Sequence, residues 1–203
     1  MSEQITVFIV DDEEEVRDSL KMLIESVGLD TETYDSAQSY LASFDQTRAG
    51  CLILDVRMKG MSGLSLQEQL SKKAMHPPII IITGHGDVQM AVRAVKSGAS
   101  DFLEKPFNEQ QLLDSIHVAI ERDAEQRGKA SKLAEIQIKV DNLTDREKEV
   151  MNLIVTGMQN KNIASELQIT QSTVEAHRAK VMDKMEARTL SDLMRMIISL
   201  RLM

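Results

Sequence analysis

The chain has 203 residues, of which 42% are apolar, and a formal net charge of −8. This length suits one large domain or two small ones. No apolar run approaches the length of a membrane span, and Cys51, the single cysteine, excludes an intrachain disulfide. The N-terminal residues lack the basic start and the long apolar stretch of a secretory signal, so we expect a cytoplasmic protein.

Charge is unevenly distributed along the chain. Residues 142–203 carry nine Lys or Arg and eight Asp or Glu, a net charge of +1, whereas the remainder carries 15 and 24, a net charge of −9. This asymmetry predicts an acidic front domain and a separate back domain with different partners. A net charge of +1 is too small to indicate nucleic-acid binding without supporting local patterns.

The front of the chain alternates short apolar runs with helical patterns, which is typical of a parallel α/β sheet. The predicted strands are Ile5–Val10, Asp30–Tyr34, Cys51–Leu54, Ile79–Ile82 and Asp101–Glu104. The predicted helices between them are Val16–Val27, Ser36–Phe44, Ser62–Lys73 and Val88–Ser97. The β-branched run Ile79–Ile82 suits a strand that is buried on both faces.

A helical pattern then continues from Asn108 to about Val140. We interpret it as a fifth helix that overruns the front domain and becomes a linker, which could include a coiled-coil section. Gly128 costs roughly 1 kcal/mol relative to alanine in a helix interior, so the helix could break there. The predicted organisation is a front domain of residues 1–125, a helical linker of residues 126–141 and a back domain of residues 142–203.

The back domain reads as four helices. Thr144-Asp145-Arg146-Glu147 is a capping box that starts the first helix, and Gly157 stops it. The remaining predicted helices are Asn160–Leu167, a third helix that follows the turn Gln168-Ile169-Thr170 and runs to about Met185, and a fourth from Thr189 to about Leu200. Two short helices joined by a tight turn are the signature of a helix-turn-helix.

Charged and hydroxyl residues stand at the carboxyl ends of the predicted strands. Asp11 and Asp12 follow the first strand, Asp55 the third, Thr83 the fourth and Lys105 the fifth. In parallel sheets function gathers in the crevice outside the strands' carboxyl ends. Three carboxylates, a hydroxyl and an ammonium therefore converge on one site, which predicts metal-assisted phosphoryl chemistry.

Each of these residue types has a role in that chemistry. Asp11 and Asp12 are placed to hold Mg²⁺, which prefers carboxylates, waters and phosphate oxygens. Asp55 is then the phosphoryl acceptor and also a metal ligand. Lys105 supplies positive charge and Thr83 a hydroxyl donor to the phosphoryl oxygens. Lys105 precedes Pro106, where a cis bond could fix the direction of the lysine.

Taken singly, these residues have ordinary structural interpretations. An acidic run such as Asp11–Glu15 is usually a solvated helix start that the helix dipole favours, and a single Asp or Thr after a strand is more often a cap. The conjunction of all five at one predicted edge favours the phosphoryl site. His85, which lies between two glycines, is interpreted as an ordinary loop residue rather than a ligand or a second phosphoacceptor.

Four segments resemble the receiver domain of two-component response regulators of the FixJ type. They are Val10-Asp11-Asp12, Leu54-Asp55-Val56-Arg57-Met58, Thr83-Gly84-His85-Gly86 and Asp101-Phe102-Leu103-Glu104-Lys105-Pro106-Phe107. The resemblance implies a doubly wound, flavodoxin-like sheet of five parallel strands in the order 2-1-3-4-5. It further implies phosphorylation of Asp55 by a sensor histidine kinase, with Mg²⁺ or Mn²⁺ held by Asp11, Asp12, Asp55 and the backbone carbonyl of Arg57.

The same resemblance implies a conformational switch. Thr83 and Phe102 match the two positions that move on phosphorylation, and the face that includes Val92 and Lys96 is the one through which the family dimerises. One departure is Lys59, because the family commonly has proline there. It could loosen the loop after Asp55 and alter the lifetime of the phosphoryl group, although it removes no catalytic group.

The third back helix has two contrasting faces on a helical wheel. Its core side is Val174, Val181, Met182 and Met185, and its opposite arc is Ser172, Ala176, Ala179, Lys180 and Asp183, flanked by Thr173 and Glu175. The cations that could hold phosphates around it are Lys161, Arg178, Lys180, Lys184 and Arg188. These residues alone fit a DNA-binding helix and a plain four-helix interaction module equally well.

Resemblance favours DNA binding. The segments Leu143-Thr144-Asp145-Arg146-Glu147, Asn160-Lys161-Asn162-Ile163-Ala164 and Thr173-Val174-Glu175-Ala176-His177-Arg178, with Gly157, are similar to the LuxR/NarL-type DNA-binding domain. The third helix is then expected in the major groove, where a glutamate can accept from cytosine and alanine can contact a thymine methyl. The implied DNA contacts are Lys161, Thr173, Glu175, Ala176, His177, Arg178, Ala179 and Lys180.

The sequence therefore predicts a phosphorylation-dependent bacterial transcription regulator rather than an enzyme. Its implied partners are a sensor histidine kinase, operator DNA, RNA polymerase and, after phosphorylation, a second copy of the chain. Three alternatives fit parts of the sequence: a hydrolase that carries a phosphoryl group on Asp55, a flavodoxin-like cofactor binder, and a regulator whose DNA binding ignores Asp55. Against the hydrolase, the sequence offers no obvious substrate pocket. Against the cofactor binder, the five carboxylates of Asp11–Glu15 would repel a cofactor phosphate.

Overall fold

A computed structural model describes residues 5–84 and 88–201 of the chain. The motif residues His85 and Gly86 and the N-terminal residues 1–4 lie outside the described part. Backbone contacts divide the chain into two compact units, Met1–Gln126 and Arg127–Met203. In the part that the structure describes, no helix combines the length and hydrophobicity needed to cross a bilayer.

The first unit is built on a parallel sheet of five strands in the order β2-β1-β3-β4-β5. The strands are β1 (Thr6–Val10), β2 (Asp30–Tyr34), β3 (Gly50–Asp55), β4 (Ile79–Thr83) and β5 (Asp101–Glu104). This order and the parallel pairing confirm the predicted fold class. Asp55 and Thr83 are the last residues of their strands rather than the first residues after them.

Alternate residues of the strands enter two separate core layers, because successive side chains of a strand point to opposite faces. Leu52, Leu54 and Ile81 face one layer, which is covered by α2 (Ala37–Ser43), α3 (Gly63–Leu70) and α4 (Val88–Lys96). Cys51, Ile53 and Ile80 face the other, covered by α1 (Glu14–Ser26) and α5 (Glu109–Asp141). Both faces of the central strands are buried, as expected for a doubly wound sheet.

Helix α3 ends three residues earlier than the predicted Lys73. Ser71, Lys72 and Lys73 bring no apolar side chain to the core. The main chain there closes into turns instead, with Lys72 N donating to Gln69 O at 3.3 Å and Lys73 N donating to Leu70 O at 2.8 Å. The end of this helix is therefore set by the burial of its apolar face and not by the helix propensity of the lysines that follow it.

Helix α5 is continuous over 33 residues and does not break at Gly128. A Cβ atom built on Gly128 would meet nothing within 4 Å, so no close packing requires a glycine at this position. The flanking helix formers carry the helix through the residue, whose cost of about 1 kcal/mol is small against so many backbone hydrogen bonds.

The second unit continues with four helices after α5: α6 (Asp145–Val155), α7 (Asn160–Glu166), α8 (Gln171–Lys184) and α9 (Leu190–Arg201). The predicted capping box is present, because Glu147 N donates to Thr144 Oγ1 at 3.3 Å and Thr144 N donates to Glu147 Oε2 at 2.9 Å. Helices α7 and α8 form the predicted helix-turn-helix. Val174 and Val181 fix α8 onto the core of the unit, where both are fully buried.

Candidate functional site

An ammonium joins two buried carboxylates at the carboxyl edge of the sheet. Lys105 Nζ lies 2.8 Å from Asp11 Oδ2 and 3.0 Å from Asp55 Oδ1. Asp11 follows β1 and is fully buried, and Asp55 closes the neighbouring β3 with 6% exposure. The expected convergence of these three side chains on one site is therefore observed.

The main chain fixes the positions of these groups by continuing the strand pairing beyond the strands. Asp11 N donates to Tyr34 O at 3.2 Å, and Lys105 N donates to Thr83 O at 2.8 Å. The Lys105–Pro106 peptide bond is cis. Asp11 and Lys105 are thus held by the backbone on either side of Asp55, independently of their side-chain contacts.

Backbone donors also hold the carboxylates. Asp55 Oδ2 accepts from Arg57 N at 2.6 Å, and Asp11 Oδ1 accepts from Glu13 N at 2.9 Å. Arg17, in the second turn of α1, donates from Nη1 to Asp11 O at 2.7 Å. This contact of Arg17 was not predicted from the sequence. The position of an arginine one to two helical turns after an Asp-Asp pair at a strand end could have indicated it.

Asp12 is half-buried and has a different partner from its neighbours. Its Oδ2 accepts from the backbone N of Lys59 at 3.3 Å. Among the described residues no three Asp, Glu, His or Cys side chains gather closely enough to hold a metal ion. Asp11, Asp12 and Asp55 nevertheless offer the oxygen donors that Mg²⁺ prefers, and with Lys105 they leave a net charge of −2, so the donor set fits a divalent cation in chemistry and charge.

Burial and ion pairing oppose each other in the site. Burial raises the pKa of Asp55 above its usual value, and the hydrogen bond from Lys105 only partly offsets this effect. Burial alone would lower the pKa of Lys105, but the hydrogen bonds from its ammonium to Asp11 and Asp55 outweigh burial and leave that pKa raised. Lys105 is therefore a cation at neutral pH.

The two predicted switch residues lie on the adjacent strands β4 and β5. Thr83 is fully buried at the end of β4. Phe102, on β5, pairs in register with Ile81 and packs half-buried against the core layer of α2, α3 and α4. Val92 and Lys96, assigned above to the dimer face, are exposed on α4. The exposed Val95 extends the same surface.

Most of the predicted DNA contacts are accessible on the second unit. Lys161 on α7 and Glu175, Ala176, Ala179 and Lys180 on α8 are exposed, and Thr173, His177 and Arg178 are half-buried. Arg178 Nη1 donates to Asn160 Oδ1 at 3.2 Å, which ties α8 to the start of α7. The Nδ1 atom of His177 is buried and has no hydrogen-bond partner among the described residues.

Lys184 does not belong with the cations that could hold phosphates. Its Nζ donates to Glu147 Oε2 at 2.7 Å and to Asn142 O at 3.3 Å. The hydrogen bond from Lys184, helped by that from Thr144, lowers the pKa of Glu147 to about 2. Lys184 is thus a structural residue, and the helical wheel could not show this because its partner lies on another helix.

Comparison with known proteins agrees with this geometry. Residues 7–117 match the family described as "Response regulator receiver domain", and residues 141–197 match "Bacterial regulatory proteins, luxR family". The chain therefore belongs to the two-component response regulators that join a receiver to a luxR-type DNA-binding domain. Within that class it is similar to transcription regulators of the FixJ type, which confirms the resemblance stated above.

Individual relatives match nearly the whole chain. Nodulation protein W of Bradyrhizobium diazoefficiens is 46% identical over 195 residues, covering 96% of this chain and 86% of that protein. Transcriptional regulatory protein FixJ of Azorhizobium caulinodans is 41% identical over 198 residues, covering 98% and 94%. The solved structure of response regulator StyR superposes with a TM-score of 0.87 at 43% identity, covering 96% and 98%.

Proposed function

We propose that this transcription regulator is switched by phosphorylation of Asp55. The observation that carries the proposal is the Lys105 ammonium held between Asp11 and Asp55 at the sheet edge. A carboxylate that accepts a phosphoryl dianion needs compensating positive charge, and Lys105 supplies part of it at a fixed position. Receiver domains imply a histidine kinase as the phosphoryl donor, and the luxR-family domain implies DNA as the target.

The chemical step is a transfer between two side chains. A carboxylate oxygen of Asp55 attacks the phosphorus of the kinase's phosphohistidine, and the nitrogen–phosphorus bond breaks with its electron pair left on the imidazole. Lys105 neutralises charge on the phosphoryl oxygens. Asp11, Asp12, Asp55 and the backbone carbonyl of Arg57 would hold Mg²⁺ or Mn²⁺, which when bound neutralises the remaining charge of the transferred group.

The switch follows from the position of Thr83 on the strand next to Asp55. Its hydroxyl donates to the new phosphoryl group, and Phe102 turns inward on the adjacent strand. This changes the surface of α4 and β5 that carries Val92 and Lys96, through which two phosphorylated copies associate. A dimer places two DNA-binding domains on a two-fold operator.

The domain boundaries proposed for this activity are a receiver of residues 1–125, a helical linker of residues 126–141 and a DNA-binding domain of residues 142–203. Helix α8 enters the major groove with Glu175, Ala176 and Ala179 towards base edges. Lys161 and Lys180 contact phosphates, and Thr173, His177 and Arg178 line the same face. Regulation of transcription then requires contact with RNA polymerase.

Acetyl phosphate provides a direct test of the proposal. With Mg²⁺, the purified chain is expected to gain the mass of one phosphoryl group and to form dimers, and Asp55→Asn is expected to abolish both effects. An unchanged mass or oligomeric state contradicts the proposal. Operator affinity that is equal with and without the phosphoryl group would favour regulation independent of Asp55, and turnover of many equivalents of a small phosphoester would favour a hydrolase.

A further inference from the structure

The loop between β3 and α3 has a tightly fixed main chain. Gly63 N donates to Val56 O at 3.0 Å, which closes the loop on itself. A Cβ atom on Gly63 would lie 2.1 Å from Asp55 O, so only glycine allows this close approach. Gly60 has a φ of +81°, a left-handed conformation that glycine adopts without steric cost. The amide groups between Asp55 and Gly60 are therefore held in defined directions.

Two amides of this loop donate to carboxylates of the acidic site. Arg57 N donates to Asp55 Oδ2 at 2.6 Å, within the loop itself. Lys59 N donates to Asp12 Oδ2 at 3.3 Å, across to the segment that follows β1. The second bond thus ties together two loops that are 47 residues apart in sequence. The side chain of Lys59 is exposed.

We infer that the backbone N–H of Lys59 is a positioning group that competes with a divalent cation for the carboxylate of Asp12. This inference rests on the proposed function, in which Asp12 is a metal ligand. The amide uses one oxygen of Asp12 and orients the carboxylate towards the loop after β3. A cation that binds through that oxygen has to displace the amide or share the oxygen with it, which weakens cation binding.

Only the amide carries this effect, so the side-chain charge of Lys59 has to be separated from it. Proline has no N–H and cannot donate to Asp12. Alanine retains the N–H and, like proline, lacks the ammonium. Lys59→Pro and Lys59→Ala are therefore a matched pair that differ in the donor but not in charge. Neither substitution removes an acidic ligand or Lys105.

Calorimetric titration of the full-length chain with Mg²⁺ tests the inference. A hydrogen bond to a charged group stabilises the metal-free state, so its loss should favour the Mg²⁺-bound state. We therefore expect the Lys59→Pro variant to bind Mg²⁺ about threefold to tenfold more tightly than the Lys59→Ala variant. Equal affinities in the two variants overturn the inference and leave the proposed function intact. No Mg²⁺ binding by the unsubstituted chain overturns both.

Amide exchange measured by NMR provides a second test that does not depend on the folding of a proline variant. In the metal-free unsubstituted chain, the Lys59 amide is expected to exchange more slowly than the same amide in the Asp12→Ala variant, because that substitution removes the acceptor. Saturation with Mg²⁺ is expected to speed exchange of the same amide in the unsubstituted chain. An exchange rate that changes under neither condition overturns the inference.

Discussion

Lys184, in the last turn of α8, donates a hydrogen bond of 2.7 Å to the carboxylate of Glu147 in the first turn of α6. The side chain of Glu147 is only 4% exposed, and it also accepts from Thr144 N at 2.9 Å. The carboxylate of Glu147 thus caps the N-terminus of α6 and also holds the C-terminal end of α8, the helix proposed to enter the major groove. A charged hydrogen-bond network of this kind is costly to break from one side.

Glu147 should make the second unit sensitive to acid. Its pKa in the folded chain is lowered to about 2 from 4.5. A lowered folded-state pKa stabilises the protein above the unfolded value, and the contribution is lost as pH falls through the folded-state pKa. We expect Glu147→Gln to lower the melting temperature at pH 7, and the difference to shrink between pH 4.5 and 2.

Calorimetric unfolding at several pH values checks this. Glu149→Gln is a suitable control, because Glu149 pairs with Arg146 at an exposed position on the same helix. A melting-temperature difference between Glu147→Gln and the unsubstituted chain that is independent of pH would contradict the assigned role of the carboxylate.

Lys180 and Lys184 lie four residues apart on α8 but should behave differently when replaced by alanine. Lys180 is exposed, so Lys180→Ala should leave stability unchanged, weaken operator binding, and reduce the slope of log affinity against log salt by about one. Lys184→Ala should lower stability more than Lys180→Ala does, because it removes the ion pair of Glu147 and leaves that carboxylate only the hydrogen bond from Thr144 N. Fluorescence anisotropy with labelled DNA measures operator binding of both variants, and thermal unfolding measures their stability. A loss of stability in Lys180→Ala would contradict the prediction.

Asp55 should reduce the stability of the first unit at neutral pH. Because burial raises its pKa above 3.8, ionisation is less favourable in the folded chain than in the unfolded one. Stability contributed by such a group is present below pH 3.8 and is lost as pH rises through the folded-state pKa. We expect Asp55→Asn to unfold at a higher temperature than the unsubstituted chain at pH 7 and at the same temperature near pH 3. If the variant and the unsubstituted chain had the same melting temperature at pH 7 as well as at pH 3, the prediction would be wrong, and Lys105 would fully compensate the buried charge of Asp55.

Gln67 should restrain α4. Its side chain is 1% exposed, and Nε2 donates to Ala94 O at 2.9 Å, near the C-terminal end of α4. Gln67→Met removes this donor at similar volume, and we expect a loss of about 1 kcal/mol and faster amide exchange in α4. Glu68→Gln weakens the neighbouring exposed pair with Arg93 and should change both quantities much less. Equal effects of the two variants would contradict a special role for the buried amide.

The sheet and its acidic edge were predictable because both depend on local patterns. The β-branched run of β4 and the apolar runs of β1 and β3 identify buried parallel strands, and parallel strands bring their carboxyl ends to one edge. Asp11, Asp55 and Lys105 could therefore be grouped without coordinates. Residues that act through contacts across elements, such as Arg17 with Asp11 O, leave a much weaker trace in the sequence.

Main-chain donors and partners on other helices were not predictable in the same way. The hydrogen bond from Lys59 N to Asp12 depends on the closed path of the loop after β3. The pairing of Lys184 with Glu147 depends on how α6 and α8 pack. Likewise, periodicity does not show that α3 ends at Leu70 or that α5 continues through Gly128, because packing decides where a helix ends.

The buried thiol of Cys51 in β3 gives the chain a built-in reporter of global opening. Burial raises its pKa to about 12, so the reactive thiolate is scarce in the native state. As the single cysteine of the chain, it is the only residue that a maleimide or disulfide reagent would label as a thiol. The labelling rate therefore measures how often the central strand separates from its neighbours, without any engineered probe.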